Sequence, residues 1–148
     1  MRTLDSYLAE YAESHRNETN QAIHSIAVPS IMWSILGFLH TYTVFSPDFR
    51  LSYVLIFLAM IYYAFFKRPL LLLSLGVLVA LMVLSFTFIP ELRIVSITVF
   101  IVSWIFQFYG HKVEGKKPSF LKDIFFLLIG PIWVLGKTFP SLLPKNHV

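Results

Sequence analysis

The sequence predicts an all-α integral membrane bundle of about four transmembrane helices, with an amphipathic helix ahead of it and a re-entrant or interfacial segment behind it. Three observations carry that class. Apolar residues make up 57% of the 148-residue chain and charged residues only 14%, a balance outside the range of soluble domains. The apolar residues collect in runs, most of them long enough to cross a hydrocarbon core of about 30 Å at about 1.5 Å per residue. The 12 Lys and Arg residues fall unevenly over the polar turns between those runs, as the positive-inside rule requires of a membrane protein. A chain of this length has room for a single membrane domain.

Residues 1–20 lack the basic start, short apolar core and small-residue cleavage site of a secretory signal, so the first apolar segment is expected to remain in the mature protein. Within them Leu4, Tyr7, Leu8 and Tyr11 recur at helical spacing among Asp5, Glu10 and Glu13, which predicts an amphipathic helix against the bundle or the membrane surface. Asn17, Glu18, Thr19 and Asn20 suit helix caps better than helix interiors, and predict a break in which Thr19 or Asn20 caps the first span. That span covers about residues 23–44, carries Pro29 in its first turns, where proline costs least, and closes at Ser46-Pro47-Asp48. The second, about 51–66, is somewhat short and ends at Lys67-Arg68-Pro69. The third, about 70–89, is nearly pure aliphatic and stops at Pro90-Glu91. The fourth covers about 92–109, and the lysine-rich connection Lys112 to Lys122 follows. Within 120–148, the apolar stretch Ile124 to Leu135 contains Gly130-Pro131 and is too short for a standard crossing, hence the re-entrant or interfacial assignment.

Four spans return the chain to the side on which it began. Arg2, Arg16, Lys67, Arg68, Lys112, Lys116, Lys117, Lys122, Lys137 and Lys145 then share one side, with Arg50 and Arg93 alone on the other. That bias places the N-terminus in the cytoplasm, of a bacterial inner membrane or, in a eukaryote, of the endoplasmic reticulum.

The chain has no Cys, which removes thiolate metal sites, disulfides and thiol catalysis together. His15 and His24 lie in one polar cluster, residues 14–24, and His111 in another, residues 107–114, at the same predicted membrane end. Imidazole is the commonest neutral metal ligand, so a metal site with N and O ligands is expected. On an unbroken helix His15 and His24, nine residues apart, would face opposite ways and lie about 13.5 Å apart; a shared ion needs the break between them. Glu114, three residues past His111 on a helix continuing beyond Gly110, is a possible oxygen ligand or orienting partner. His40 belongs to the opposite membrane end and His147 to the tail. Two readings suit these residues by themselves. One is a zinc hydrolase acting on a lipid, with Glu114 as general base. The other is a non-enzymatic lipid-binding or scaffold protein whose histidines and lysines contact head groups.

Tyr11, His15, Asn20, His24 and Pro29 form Tyr-x3-His-x4-Asn-x3-His-x4-Pro, and Gln107 to Pro118 form Gln-Phe-x-Gly-His-x2-Glu-x3-Pro, with Gly130-Pro131 beyond. In these paired motifs, over nearly the whole chain, the sequence resembles the small membrane family that includes the fungal 2-hydroxy fatty acid dioxygenase of phytosphingosine breakdown. The resemblance implies an iron(II)-dependent enzyme that uses O2 to shorten a long-chain 2-hydroxy fatty acid by one carbon, releasing CO2. On that implication His15, His24 and His111 hold Fe(II), leaving open positions for a chelating 2-hydroxy acid and O2. Asn20 and Glu114 would fix the tautomer and orientation of the imidazoles. Arg16, Lys112 or Lys116 would pair the substrate carboxylate, and the acyl tail would run among helices rich in the chain's 15 Phe, 7 Tyr and 3 Trp. Substrate and membrane lipid are the expected partners, and nucleic acid is not.

Overall fold

A computed structural model describes residues 2–143; Lys145 and His147 lie outside the described residues. Six α-helices and no strand occur among them. The chain divides into two compact units, residues 1–29 with 103–148, and residues 30–102.

In the first unit, α1 (Leu4–Glu13) opens at Thr3, whose hydroxyl accepts from Ser6 N–H at 3.2 Å. It buries Leu4, Tyr7, Leu8 and Tyr11, the set at helical spacing in the sequence. Against that face packs α6 (Phe126–Thr138): the Tyr7 and Tyr11 rings lie 5.4 and 6.2 Å from Phe126, and Tyr11 lies 5.7 Å from Trp133. The apolar segment around Gly130-Pro131 is thus a 13-residue helix with most of its side chains buried in this unit. A Cβ at Gly130 would stand 3.1 Å from the Tyr11 hydroxyl and 3.2 Å from Val28, so any larger residue would require Tyr11 and Val28 to give by a few tenths of an ångström.

The predicted break falls between α1 and α2 (Glu18–His40). Its cap is Asn17, whose Oδ1 accepts from the N–H groups of Thr19 at 2.9 Å and Asn20 at 3.2 Å, not Thr19 or Asn20 as expected. Asn20 cannot serve as the cap because it is the third residue of the helix and its side chain turns inward, fully buried. Toward the other end of the sequence, α5 (Leu92–Glu114) continues unbroken past Gly110 and brings His111 into its last turn. A 3-10 turn at Ser119–Leu121 leads on to α6.

The second unit holds α3 (Leu51–Ala64) and α4 (Pro69–Phe86) with the adjoining parts of α2 and α5. Its core is Leu36, Met82 and Phe86, with Trp33, Leu55 and Val79 among the residues packed on them. Trp33 Nε1–H donates to Ser85 Oγ at 2.8 Å. His40 bonds Ser52 Oγ through Nδ1 at 2.9 Å, a satisfied histidine in the unit that lacks the other two clusters.

Three helices among the described residues are long and apolar enough to cross a membrane, α2, α4 and α5, so the expected count of four is corrected. The exception is α3, which has 14 residues, about 21 Å of rise against a core of about 30 Å. It stops early because the chain tightens there. Phe65 and Phe66 bond back only three residues, to Tyr62 and Tyr63, and Lys67 takes a left-handed φ of +55° just before the Arg68-Pro69 step, where proline disfavours helical backbone at the preceding residue. Phe57, Leu58, Leu73, Leu81, Ile101 and Ile105 remain exposed on the helices, as faces turned to lipid do.

Candidate metal centre

Three elements of the first unit each deliver one imidazole to the same place: the α1–α2 break supplies His15, the start of α2 His24, and the last turn of α5 His111. Their potential ligand atoms all lie within 4.8 Å of one another, and the residues are only 2%, 1% and 4% exposed. The rings stand at steep angles, 63° between His15 and His24, 77° between His15 and His111, and 87° between His24 and His111. Nitrogens so arranged can converge on one ion instead of stacking.

Neighbouring groups decide which nitrogens are free. His15 Nδ1 lies 2.6 Å from the Tyr11 carbonyl, which can only accept; Nδ1 therefore carries the hydrogen and Nε2 the lone pair. The Gln107 carboxamide nitrogen, which can only donate, lies 2.9 Å from His24 Nε2, so that nitrogen is an acceptor too. These two lone pairs face each other across 3.1 Å. Burial, opposed by the Tyr11 carbonyl and reinforced by His111, pushes His15 down to about 4, so protonation does not relieve the repulsion at neutral pH. A divalent cation would. Two nitrogens each about 2.1 Å from a shared ion lie about 3.0–3.4 Å apart, and Nδ1 of His111, the third buried imidazole, has no hydrogen-bond partner, which leaves that nitrogen available as a further ligand atom. The donor set, three neutral imidazoles without thiolate, fits a first-row divalent metal such as iron(II) or zinc.

A family model described as 2-hydroxy-palmitic acid dioxygenase Mpo1-like matches residues 1–141. The chain belongs to the Mpo1-like family. It is 34% identical over 141 residues to 2-hydroxy-palmitic acid dioxygenase MPO1 of Saccharomyces cerevisiae, covering 89% of this chain and 77% of that protein. No solved structure matches.

In this Mpo1-like chain the expected supporting residues are placed differently from the expectation. Asn20 and Glu114 do not bond the imidazoles. Glu114 accepts from Arg16 N–H at 3.0 Å, Asn17 N–H at 2.7 Å and Asn20 Nδ2 at 3.2 Å, and Asn20 Nδ2 also donates to the Ser14 carbonyl at 3.1 Å. Together they tie the end of α5 to the backbone on both sides of His15. A carboxylate with three donors is also poorly disposed to act as an oxygen ligand or base, and Glu114 is outside the cluster of ligand atoms. Arg16, Lys112 and Lys116 are exposed, and Lys116 Nζ donates to the Glu13 carbonyl at 2.9 Å, closing α1.

The groups that do touch the imidazoles received no role from sequence reasoning. Tyr11 supplies its carbonyl to His15 and its hydroxyl to His24 Nε2 at 2.6 Å, and its ring stacks on His15 at 4.2 Å. Trp133 of α6 lies 5.3 Å from the His15 ring. Gln21 touches no imidazole but holds the His15 backbone, its Nε2 donating to the His15 carbonyl at 2.6 Å while its Oε1 accepts from Lys137 Nζ. The spacing held a signal for Tyr11, which precedes His15 by four residues, about one helical turn, but none for Gln107, whose partner His24 lies 83 residues away.

Proposed function

We propose that this protein is an iron(II)-dependent dioxygenase that shortens long-chain 2-hydroxy fatty acids by one carbon. The observation that carries the reading is the buried set of three neutral imidazoles in a chain of the Mpo1-like family. The reaction balances without a separate reductant: a 2-hydroxy acid and O2 give the acid one carbon shorter, CO2 and water. The two carbons at the reacting end lose four electrons, and O2 takes up four. Iron bound at the imidazoles would supply the redox chemistry toward O2 and positions at which a hydroxyl and a carboxylate chelate.

The remaining work falls to the chain's own residues. His15, His24 and His111 hold the ion through neutral nitrogens. The Tyr11 carbonyl keeps the His15 hydrogen on Nδ1 and aims Nε2 inward. Glu114 and Asn20 hold the His15 loop. Trp133 and the buried face of α6 exclude water from the imidazoles.

Anaerobically purified protein loaded with iron(II) is expected to consume O2 with a long-chain 2-hydroxy acid and release the shortened acid. The unsubstituted acid, lacking the chelating hydroxyl, is expected to react far more slowly. Affinity should rise with chain length, since each buried CH2 contributes about 0.8 kcal/mol. Product analysis by mass spectrometry checks all three. Turnover without O2, or activity with zinc alone, would make the protein a hydrolase, and no turnover by iron-loaded, folded protein would leave a lipid-binding or scaffold role.

The same reading has an orientation. The start of α2 and the last turn of α5 both carry imidazoles of the one cluster, so those two helix ends share a membrane face. We place the histidine end at the cytoplasmic face, where the basic residues collect. Single cysteines at Arg16 and Lys112 should label from the cytoplasmic side and one at Asp48 from the other. Labelling of the first two from opposite faces would end the reading.

A further inference from the structure

The Tyr11 hydroxyl and the Gln107 carboxamide both donate to the one lone pair that His24 would need for a metal, at 2.6 and 2.9 Å. Once an ion takes that lone pair, both donors lose their acceptor, and both residues are buried. A buried donor left without an acceptor is costly. The replacement must therefore be an acceptor lying beside the ion, within reach of Tyr11 on α1 and Gln107 on α5.

We propose that the Tyr11 hydroxyl and the Gln107 carboxamide are the hydrogen-bond donors that receive the substrate carboxylate at the ion, an inference that rests on the dioxygenase reading. The carboxylate is the strongest acceptor a 2-hydroxy acid offers, and hydrogen bonds to an ionised acceptor are roughly twice as strong as neutral ones. The two donors come from different helices and stand within 3 Å of the same nitrogen, so they bracket one position. Gly130 leaves room around the phenol oxygen, since any Cβ there would stand 3.1 Å from it. The exposed cations Arg16, Lys112 and Lys116 are then not needed for recognition of the acid.

The test uses full-length protein loaded with cobalt(II) alone, whose visible spectrum reports a change in coordination when 2-hydroxyhexadecanoic acid is added without O2. Tyr11→Phe and Gln107→Met are expected to bind one cobalt as the unaltered protein does, to retain their circular dichroism, and to bind the hydroxy acid about 10- to 100-fold more weakly. Unchanged affinity in both variants would overturn the proposal while leaving the dioxygenase reading in place. Loss of cobalt from Tyr11→Phe, or a tyrosinate charge-transfer band in the ferric unaltered protein, would overturn it by making Tyr11 a ligand. If Tyr11→Phe fails to fold, Gln107→Met decides alone by the same measurement. Failure of the unaltered cobalt protein to bind any 2-hydroxy acid would instead overturn the dioxygenase reading, and this proposal with it.

Discussion

His15→Ala, His24→Ala and His111→Ala are each expected to abolish stoichiometric metal binding, and His40→Ala to leave it intact. Each of the first three removes one of three convergent neutral donors, and no other His, Asp or Glu among the described residues joins that cluster to replace it. Altering a group that only orients a ligand costs about 10- to 100-fold in affinity, so loss of a ligand itself should exceed about 100-fold. His40 provides the control because its Nδ1 is engaged with Ser52 in the other unit. Metal content by mass spectrometry and affinity by calorimetry read the result. Full metal in any of the first three variants would strike that residue from the ligand set.

Gly110→Ala should be destabilising, although alanine in a helix interior ordinarily gains about 1 kcal/mol over glycine. The new Cβ would stand 2.5 Å from Asn20 Oδ1 and 3.5 Å from Ile23. Asn20 cannot yield cheaply, because it is fully buried and its amide is held by Ser14 and Glu114. Overpacking of this kind costs about 1–3 kcal/mol, more than the helical gain. The strain is transmitted to the metal centre from two sides, since His111 follows Gly110 directly and Asn20 anchors the loop that carries His15. A lower melting temperature and a metal affinity reduced about 10-fold or more are expected together. A raised melting temperature, as at an exposed helix glycine, would mean that Asn20 does not pack against α5 as described.

The sequence was most legible where a pattern is local. The helical spacing of Leu4, Tyr7, Leu8 and Tyr11 marked the face that α1 buries, because apolar periodicity reports directly which side leaves water. The polar residues from Asn17 to Asn20 marked the break, since His15 and His24 cannot meet on one straight helix. The fourth span, expected over about 92–109, continues as one helix to Glu114, so the shared face considered for His111 and Glu114 has the helix it requires. Length misled at the second span, where the apolar run extends to Phe66 but the helix does not, because Lys67-Arg68-Pro69 tightens the turn ahead of it.

Composition and spacing by themselves determined a helical membrane class, an amphipathic first helix and three histidines at one predicted end of the spans. Only the tertiary structure decided that Tyr11 and Gln107, not Asn20 and Glu114, touch the imidazoles, that Asn17 is the cap, and that Glu114 secures the His15 loop 98 residues away in sequence. The difference is physical. Burial of an apolar face follows from solvent and is written in each helix separately, whereas a hydrogen bond needs two atoms within about 3 Å at a favourable angle, and for residues far apart in sequence only the packing of the helices sets that distance.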